Sequence, residues 1–505
     1  MTAEHVRSIA IVGGGPEAWL AAATLARLLK SSFCDVCVID SPSRTAEGFS
    51  KTALPSFHRL NGLLGIDECD LIQKTRGTFR LGAQFADWGR MGDRYFHTFG
   101  LLGAKLDAVP FQHYWFKLRQ AGDETSIERY STATVAAKMH RFAHPTSERR
   151  SVLSFYSYGY HFHARLLSAY LREYAQAHGV RRIDRNMVEV SLRSNDGFVD
   201  GLRLDDGSQL RADLYIDCTG IEGSLARRVL KDGYRDCLSW LPCDRAVTLL
   251  CKDATDLAPC AESMALSCGW RWRTPLQGCV DTGYAYSSAH LGDDEAAATL
   301  LAELPGEALT EPRILRLLPG PPRKFWDKNC LVLPSGALEP LESTALHLAQ
   351  TAIARLVTLF PVSRYSPNDI DEYNRLTTME YERIRDFQIL HFKATQRSDS
   401  AFWQQCRDMT IPDTLRAKIE LYSQCGRIAM FEEEHFLEDS WLALLIGQNC
   451  MPQDYDPLAD VLGIDEVKAA LLRMRSMIRE AVETMPTHAQ FIEANCSATP
   501  SQLYA

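Results

Sequence analysis

Residues 8–40 constrain the chain more than any other stretch. Ser8-Ile9-Ala10-Ile11-Val12 is a short apolar run, Gly13-Gly14-Gly15 follows at once, and Pro16 to Leu29 is rich in alanine and leucine. A second apolar run, Val36-Cys37-Val38-Ile39, ends in Asp40. Strand, tight turn, helix, strand and terminal acid form the order of a βαβ unit that binds a dinucleotide. Gly13 makes the turn, Gly15 lets backbone approach a pyrophosphate, and Ala18 stands where a small residue permits close helix–strand packing. The helix start offers free N–H groups and a positive dipole end to phosphates. Asp40 is placed to accept a hydrogen bond from a ribose hydroxyl. A glycine-rich turn with a purely structural purpose would not need the other parts in this order.

A β-rich stretch from Arg182 closes in Leu214-Tyr215-Ile216-Asp217-Cys218-Thr219-Gly220. A buried strand closed by Thr-Gly is frequent in FAD proteins of this fold. No second glycine fingerprint offers a site for NAD(P)H, so FAD is the expected nucleotide and its reducing equivalents come from elsewhere. The expected fold class is α/β (α+β): a Rossmann-like FAD box with a helical substrate-binding region. Residues 1–400 are assigned to the FAD box, with substrate-side segments interleaved at about 100–150 and 230–325. Residues 401–505 are assigned to a mainly helical region that completes the substrate pocket. There Val467, Leu471, Met474, Ile478, Val482 and Met485 recur at helical spacing, Pro486 follows, and Asp465 can cap the start.

Bulk properties exclude several classes. A chain of 505 residues is too long for one hydrophobic core. A net charge of -9, with no Lys/Arg-rich run, argues against nucleic acid as partner. The best apolar run, Trp19 to Ala26, stops at Arg27 and cannot span a bilayer. Met1 to Arg7 is too short and polar for a secretory signal. The 15 cysteines follow no regular framework and fit a reducing cytoplasm. Cys34 and Cys37 flank a strand position at which alternation points them to opposite faces, so the pair is not read as a redox or metal motif. No metal site is expected.

Gly269-Trp270-Arg271-Trp272-Arg273-Thr274-Pro275 resembles the Gly-Trp-x-Trp-x-Ile-Pro signature of flavin-dependent halogenases, departing only at Thr274. By itself the pair could be two core tryptophans. Further segments are similar to the same family: Asp93 to Gly100, His113 to Phe116, Tyr160 to Phe162, Glu339 to Thr344, Arg385-Asp386-Phe387 with His391-Phe392, Phe402-Trp403, and Phe431 to Glu434. They follow in family order from Ile11 to about Glu493. On these motifs the chain is identified as a divergent member of the flavin-dependent tryptophan-halogenase family.

The resemblance implies a two-component enzyme. A separate flavin reductase supplies reduced FAD, and oxygen activated there oxidises chloride or bromide to hypohalous acid. The acid passes down a tunnel to a lysine and a glutamate beside an indole, which undergoes electrophilic substitution. Carried onto this chain, the glutamate is Glu342, able to accept a ring proton or hold the acid. Ser343 and Thr344 lie on the flavin side, and Thr344 and Ala345 on the halide side. His97 and Phe99 match rings that stack on the indole. Glu434 matches the group that binds a substrate amino group. Trp270 and Trp272 shield the flavin from the substrate. The expected partners are the reductase and a small aromatic substrate, with neither nucleic acid nor membrane; a homodimer is left open.

Several positions depart from the family pattern. The lysine position is Arg80, whose guanidinium stays protonated and is a poor covalent carrier of halogen. Lys51, in Gly48-Phe49-Ser50-Lys51-Thr52-Ala53, replaces a glutamate near the flavin. Ala345 replaces a glycine at the halide turn, and the stretch from Asn329 to Glu339, where the flavin wall forms, is short. Arg427-Ile428 stands where a tyrosine pair precedes Glu434, and the stretch from Glu434 to Pro452 is also short. These changes leave an alternative: a member that has lost halogenation and works as another flavin monooxygenase or oxidase, or as a non-catalytic flavin-binding scaffold or sensor.

Overall fold

A computed structural model describes residues 5–41, 49–106, 109–220, 225–230, 233–252, 257–317, 320–333, 340–361 and 365–498. The strand Ser8–Val12 pairs in parallel with Asp35–Ile39 on one side and with Leu214–Asp217 on the other. Arg181–Ile183, Cys330–Val332 and Trp326–Asp327 extend this sheet to six strands. Alternation sorts its side chains. Ile9, Ile11, Val36 and Val38 face the main core, while Ala10, Val12, Cys37 and Ile39 face a smaller one with Val199, Leu202 and Leu204. Cys34 and Cys37 fall in different cores and both are free thiols.

A second sheet has seven strands, in the order Arg313–Arg316, Arg245–Cys251, Cys279–Tyr286, Gly269–Leu276, Ala261–Leu266, Gly82–Ala86 and Arg94–Thr98. Its last strand carries His97 and its fourth carries Trp270 and Trp272. A third sheet joins Ser50–Ala53, Gly159–His163 and Thr78–Arg80, all antiparallel, and so brings Lys51 and Arg80 onto one small platform. Helices Ala345–Thr358 and Pro367–Lys393 pack on these sheets, and shorter helices from Ala401 to Asn495 follow. The main core takes in residues from Val6 to Cys496, so the C-terminal helices share it with the six-stranded sheet. Fully buried Trp19, Trp88, Trp403 and Trp441 are among its largest members; each buried large apolar side chain contributes about 1.5–3 kcal/mol.

The helix Ile464–Glu483 buries Val467, Leu471, Ile478 and Val482, with Met474 half-buried. Two details differ from expectation. Gly463, in extended conformation, is the N-cap, so Asp465 lies inside the first turn, where it complements the helix dipole instead of capping. Met485 is buried beyond the helix end. Among the described residues no helix is long and apolar enough to cross a membrane, and no group of three or more His, Cys, Asp or Glu could hold a metal.

Candidate active site

The glycine turn is built as its sequence requires. Gly13 has φ 131°, and a Cβ there would lie 2.6 Å from the Cys218 carbonyl oxygen. A Cβ on Gly14 would lie 1.7 Å from Asp40 Oδ1, so the strand end and the turn interlock. Gly15 is the N-cap of Pro16–Leu29, and around its Cβ position only Glu17 Oε2, at 3.4 Å, comes within 4 Å. Ala18 is fully buried. The turn therefore keeps an open side at the N-terminus of a 14-residue helix, which suits a dinucleotide phosphate.

Two ion pairs border this turn. Asp40 Oδ2 is 2.9 Å from Arg182 Nε; burial raises the carboxyl above its ordinary range and the guanidinium opposes that shift. Lys51 Nζ donates to Glu17 Oε1 at 2.6 Å. A carboxylate in the first turn of a phosphate-binding helix would repel phosphate, and the ammonium of Lys51 neutralises it. Lys51 is among the residues expected from the sequence, and its partner Glu17 is not. The one available signal was an acid two residues after Gly15.

In the segment before the helix Ala345–Thr358, Glu342 has φ 63° and Ser343 has φ 55°. Two successive non-glycine residues in the left-handed region store about 1–3 kcal/mol of strain each. They turn the chain into the helix Ala345–Thr358, whose N-cap, Thr344, makes no side-chain cap hydrogen bond. The first N–H groups of this helix are thus left for another acceptor. Gly48 and residues 334–339, part of the expected flavin wall, lie outside the described residues.

Glu342 joins a buried polar cluster. Its Oε1 is 2.8 Å from His97 Nδ1 and 3.1 Å from His391 Nε2, and its Oε2 has no partner. Burial would raise the carboxyl, but the two imidazoles more than offset it and hold it far below the usual carboxylate range. Burial lowers His391, with Glu342 opposing. Arg80 ends the strand Thr78–Arg80 and is 2% exposed. Its Nε donates to the Gly82 carbonyl at 3.2 Å, its guanidinium lies 5.0 Å from the Phe99 ring centre, and its Nη1 has no partner. Burial pushes the guanidinium down to about 10, against the pull of Glu342, so it remains charged at neutral pH. One buried donor and one buried acceptor are left open, an arrangement that costs about 1–3 kcal/mol per group unless a ligand meets them.

The aromatic surroundings follow. His97 has Phe387 at 5.3 Å, Phe436 at 5.7 Å and Phe99 at 6.5 Å between ring centres. Trp270 and Trp272 project from one face of their strand with rings 5.6 Å apart. Trp270 packs toward Trp88, and Trp272 fills the space over Gly283, where a Cβ would lie 2.1 Å from its ring. Glu434 is elsewhere: Lys418 Nζ is 2.5 Å from its Oε1, and Trp441 Nε1 donates to its Oε2 at 3.2 Å. The Lys418–Glu434 pair, Phe436 beside His97 and His391 beside Glu342 are contacts that the sequence alone does not show. Nothing in local spacing announces them, because each is set by packing between distant segments.

Residues 8–463 match the family model for tryptophan halogenases. Tryptophan 7-halogenase RebH of Lentzea aerocolonigenes is 27% identical, over 96% of this chain and 98% of its own. Two solved structures are similar throughout. BrvH, a flavin-dependent halogenase from Brevundimonas sp. BAL3, has a TM-score of 0.92 at 38% identity, covering 97% of this chain and 99% of its own. Xcc4156, a flavin-dependent halogenase from Xanthomonas campestris, has a TM-score of 0.94 at 36% identity, covering 98% and 99%.

Proposed function

This chain belongs to the flavin-dependent tryptophan-halogenase family, and we propose that it halogenates an aromatic ring, indoles first, with hypohalous acid held by hydrogen bonds between Arg80 and Glu342. Membership favours halogenation over the alternative in which that activity has been lost. The observation that carries the proposal is that two buried groups whose charges act on each other, Arg80 and Glu342, each keep an unpartnered atom, Nη1 and Oε2.

Gly13, Gly15, Ala18, Asp40, Lys51, Ser343 and Thr344 would hold FAD, delivered reduced by a separate reductase. When bound, the reduced flavin supplies the oxygen activation that oxidises chloride or bromide. The uncapped start of Ala345–Thr358, at Thr344 and Ala345, is the place for the halide. Trp270 and Trp272 keep the substrate away from the flavin.

The chemistry at Arg80 and Glu342 is general acid–base work. Arg80 donates N–H to the oxygen of the acid and polarises the oxygen–halogen bond. A ring carbon stacked by His97 and Phe99 attacks the halogen, and the bonding pair leaves with oxygen. Glu342, kept ionised by His97 and His391, takes the ring proton, which returns to the departing hydroxide as water. Arginine has no readily freed lone pair, so no covalent nitrogen–halogen carrier is needed or expected.

The test is an indole panel with reductase, FAD, oxygen and bromide, read by mass spectrometry beside a β-diketone scavenger that reports free hypobromous acid. Glu342→Gln should cut indole bromination by about 100-fold while bromide oxidation continues. Arg80→Lys should raise the fraction of oxidised bromide that ends on the ring. Indole bromination unchanged by Glu342→Gln would contradict the assignment.

A further inference from the structure

We propose that Asp281 positions the flavin shield: its buried carboxylate ties the Trp272 indole to the strand Ser50–Ala53, which carries Lys51. This rests on the reading that Trp270 and Trp272 stand between flavin and substrate. Asp281 is 3% exposed, and hydrogen-bond donors from three other strands meet its carboxylate. Ser50 donates to Oδ2 through its backbone N–H, at 3.1 Å, and through its hydroxyl, at 2.5 Å. Thr248 Oγ1 lies 2.9 Å from Oδ1, and the Trp272 side chain donates as well. Burial raises the carboxyl above its ordinary range, and these donors oppose the shift. Such surroundings suit a carboxylate, which only accepts; an amide of the same size would turn a donor toward donors.

Strand register brings the indole within reach. Trp272 pairs with Gly283 across the antiparallel strands Gly269–Leu276 and Cys279–Tyr286. Gly283 has no side chain, so the indole lies across it: a Cβ there would come within 2.1 Å of Cζ2 and 2.7 Å of Cε2, the atom bonded to Nε1. Asp281, two residues before Gly283, shares its face of the strand and so stands beside the nitrogen edge of the ring. Thr282 Oγ1 donates to the Trp272 carbonyl at 2.9 Å and secures the same strand pair. Trp270 is 2% exposed, whereas Trp272 is only half-buried and gains less from packing alone. From Trp272 the contacts run through Asp281 to Ser50, whose neighbour Lys51 pairs with Glu17 at the glycine turn. Shield and phosphate turn are thereby held in one register.

Hydrogen exchange of the Trp272 indole N–H tests the contact. It is followed by NMR on FAD-saturated protein containing isotopically labelled tryptophan, and the signal is identified by its loss in Trp272→Phe. In the unaltered protein this N–H should exchange at least about 100-fold more slowly than that of free indole. Asp281→Asn should speed the exchange at least about tenfold. Placement of the shield is read separately, from the change that added indole produces in the visible absorption of bound FAD. That change should be at least about threefold larger in Asp281→Asn than in the unaltered protein. In a Trp272→Ala background Asp281→Asn should add nothing, whereas a merely structural effect of the carboxylate would persist there. If Asp281→Asn does not fold, exchange in the unaltered protein still decides. A Trp272 N–H that exchanges as fast as free indole, or equally slowly in Asp281→Asn, would overturn the inference. So would an FAD spectrum that answers to indole in Trp272→Ala but not in Asp281→Asn. Should exchange behave as predicted while FAD in Trp272→Ala stays insensitive to indole, the shielding reading fails alone and the positioning of Trp272 by Asp281 stands.

Discussion

Glu342 Oε1 lies 2.8 Å from His97 Nδ1, with both side chains removed from solvent. The contact joins residues 245 positions apart and helps to lower the buried Glu342 carboxyl against the effect of burial. With His391, His97 holds the Glu342 carboxyl far below the usual carboxylate range, which in the proposed mechanism keeps it ionised.

A pH profile checks this. Glu342 is depressed far below the carboxylate range by its two imidazoles, so its protonation should not limit indole halogenation at about pH 6–8. His391→Gln removes one of these imidazoles, and the acid limb of the rate profile should move upward. A profile identical to that of the unaltered protein would show that His391 does not bias Glu342.

Acid stability should depend on Glu380. Burial would raise this carboxyl, but His347 and Arg355 bring it down to about 2. Arg355 Nη1 is 2.6 Å away and His347 Nε2 is 3.0 Å away. Because the folded value lies below the unfolded one, near 4.3, the stabilisation is complete above the unfolded value. It is lost as pH falls toward 2. Glu380→Gln should destabilise the protein at neutral pH and flatten its acid-unfolding curve in that window. Unchanged melting at neutral pH would contradict this.

Flavin affinity should report the Lys51–Glu17 pair. Lys51→Met leaves a carboxylate at the phosphate turn and should weaken FAD binding by about tenfold. Adding Glu17→Gln should recover part of the loss. Fluorescence titration decides, and unchanged affinity in Lys51→Met would show that the pair lies outside the cofactor's reach.

The parts legible in the sequence were those encoded locally. Ser8 to Asp40 shows its strand–turn–helix–strand order because alternation, glycine placement and helix composition all act within a few residues. Glu342 was legible through the segment that contains it. The pairings that set its chemistry were not. Glu17 with Lys51, Lys418 with Glu434 and Glu342 with His97 each join separate elements, and only tertiary packing decides which opposite charges meet. Asp465 shows the same limit at short range: acid and helix were both recognised, but extended backbone at Gly463 starts the helix two residues earlier.

The central claim is that Arg80 holds hypohalous acid without a covalent bond. Its most direct test is Arg80→Met, with indole and the β-diketone scavenger competing for bromide oxidised by the complete system. Removal of the guanidinium's donors should leave bromide oxidation running and drop the indole share of product by about 100-fold, the scavenger taking the rest. If Arg80→Met brominates indole with the unaltered share, the acid is delivered without Arg80 and the claim is contradicted.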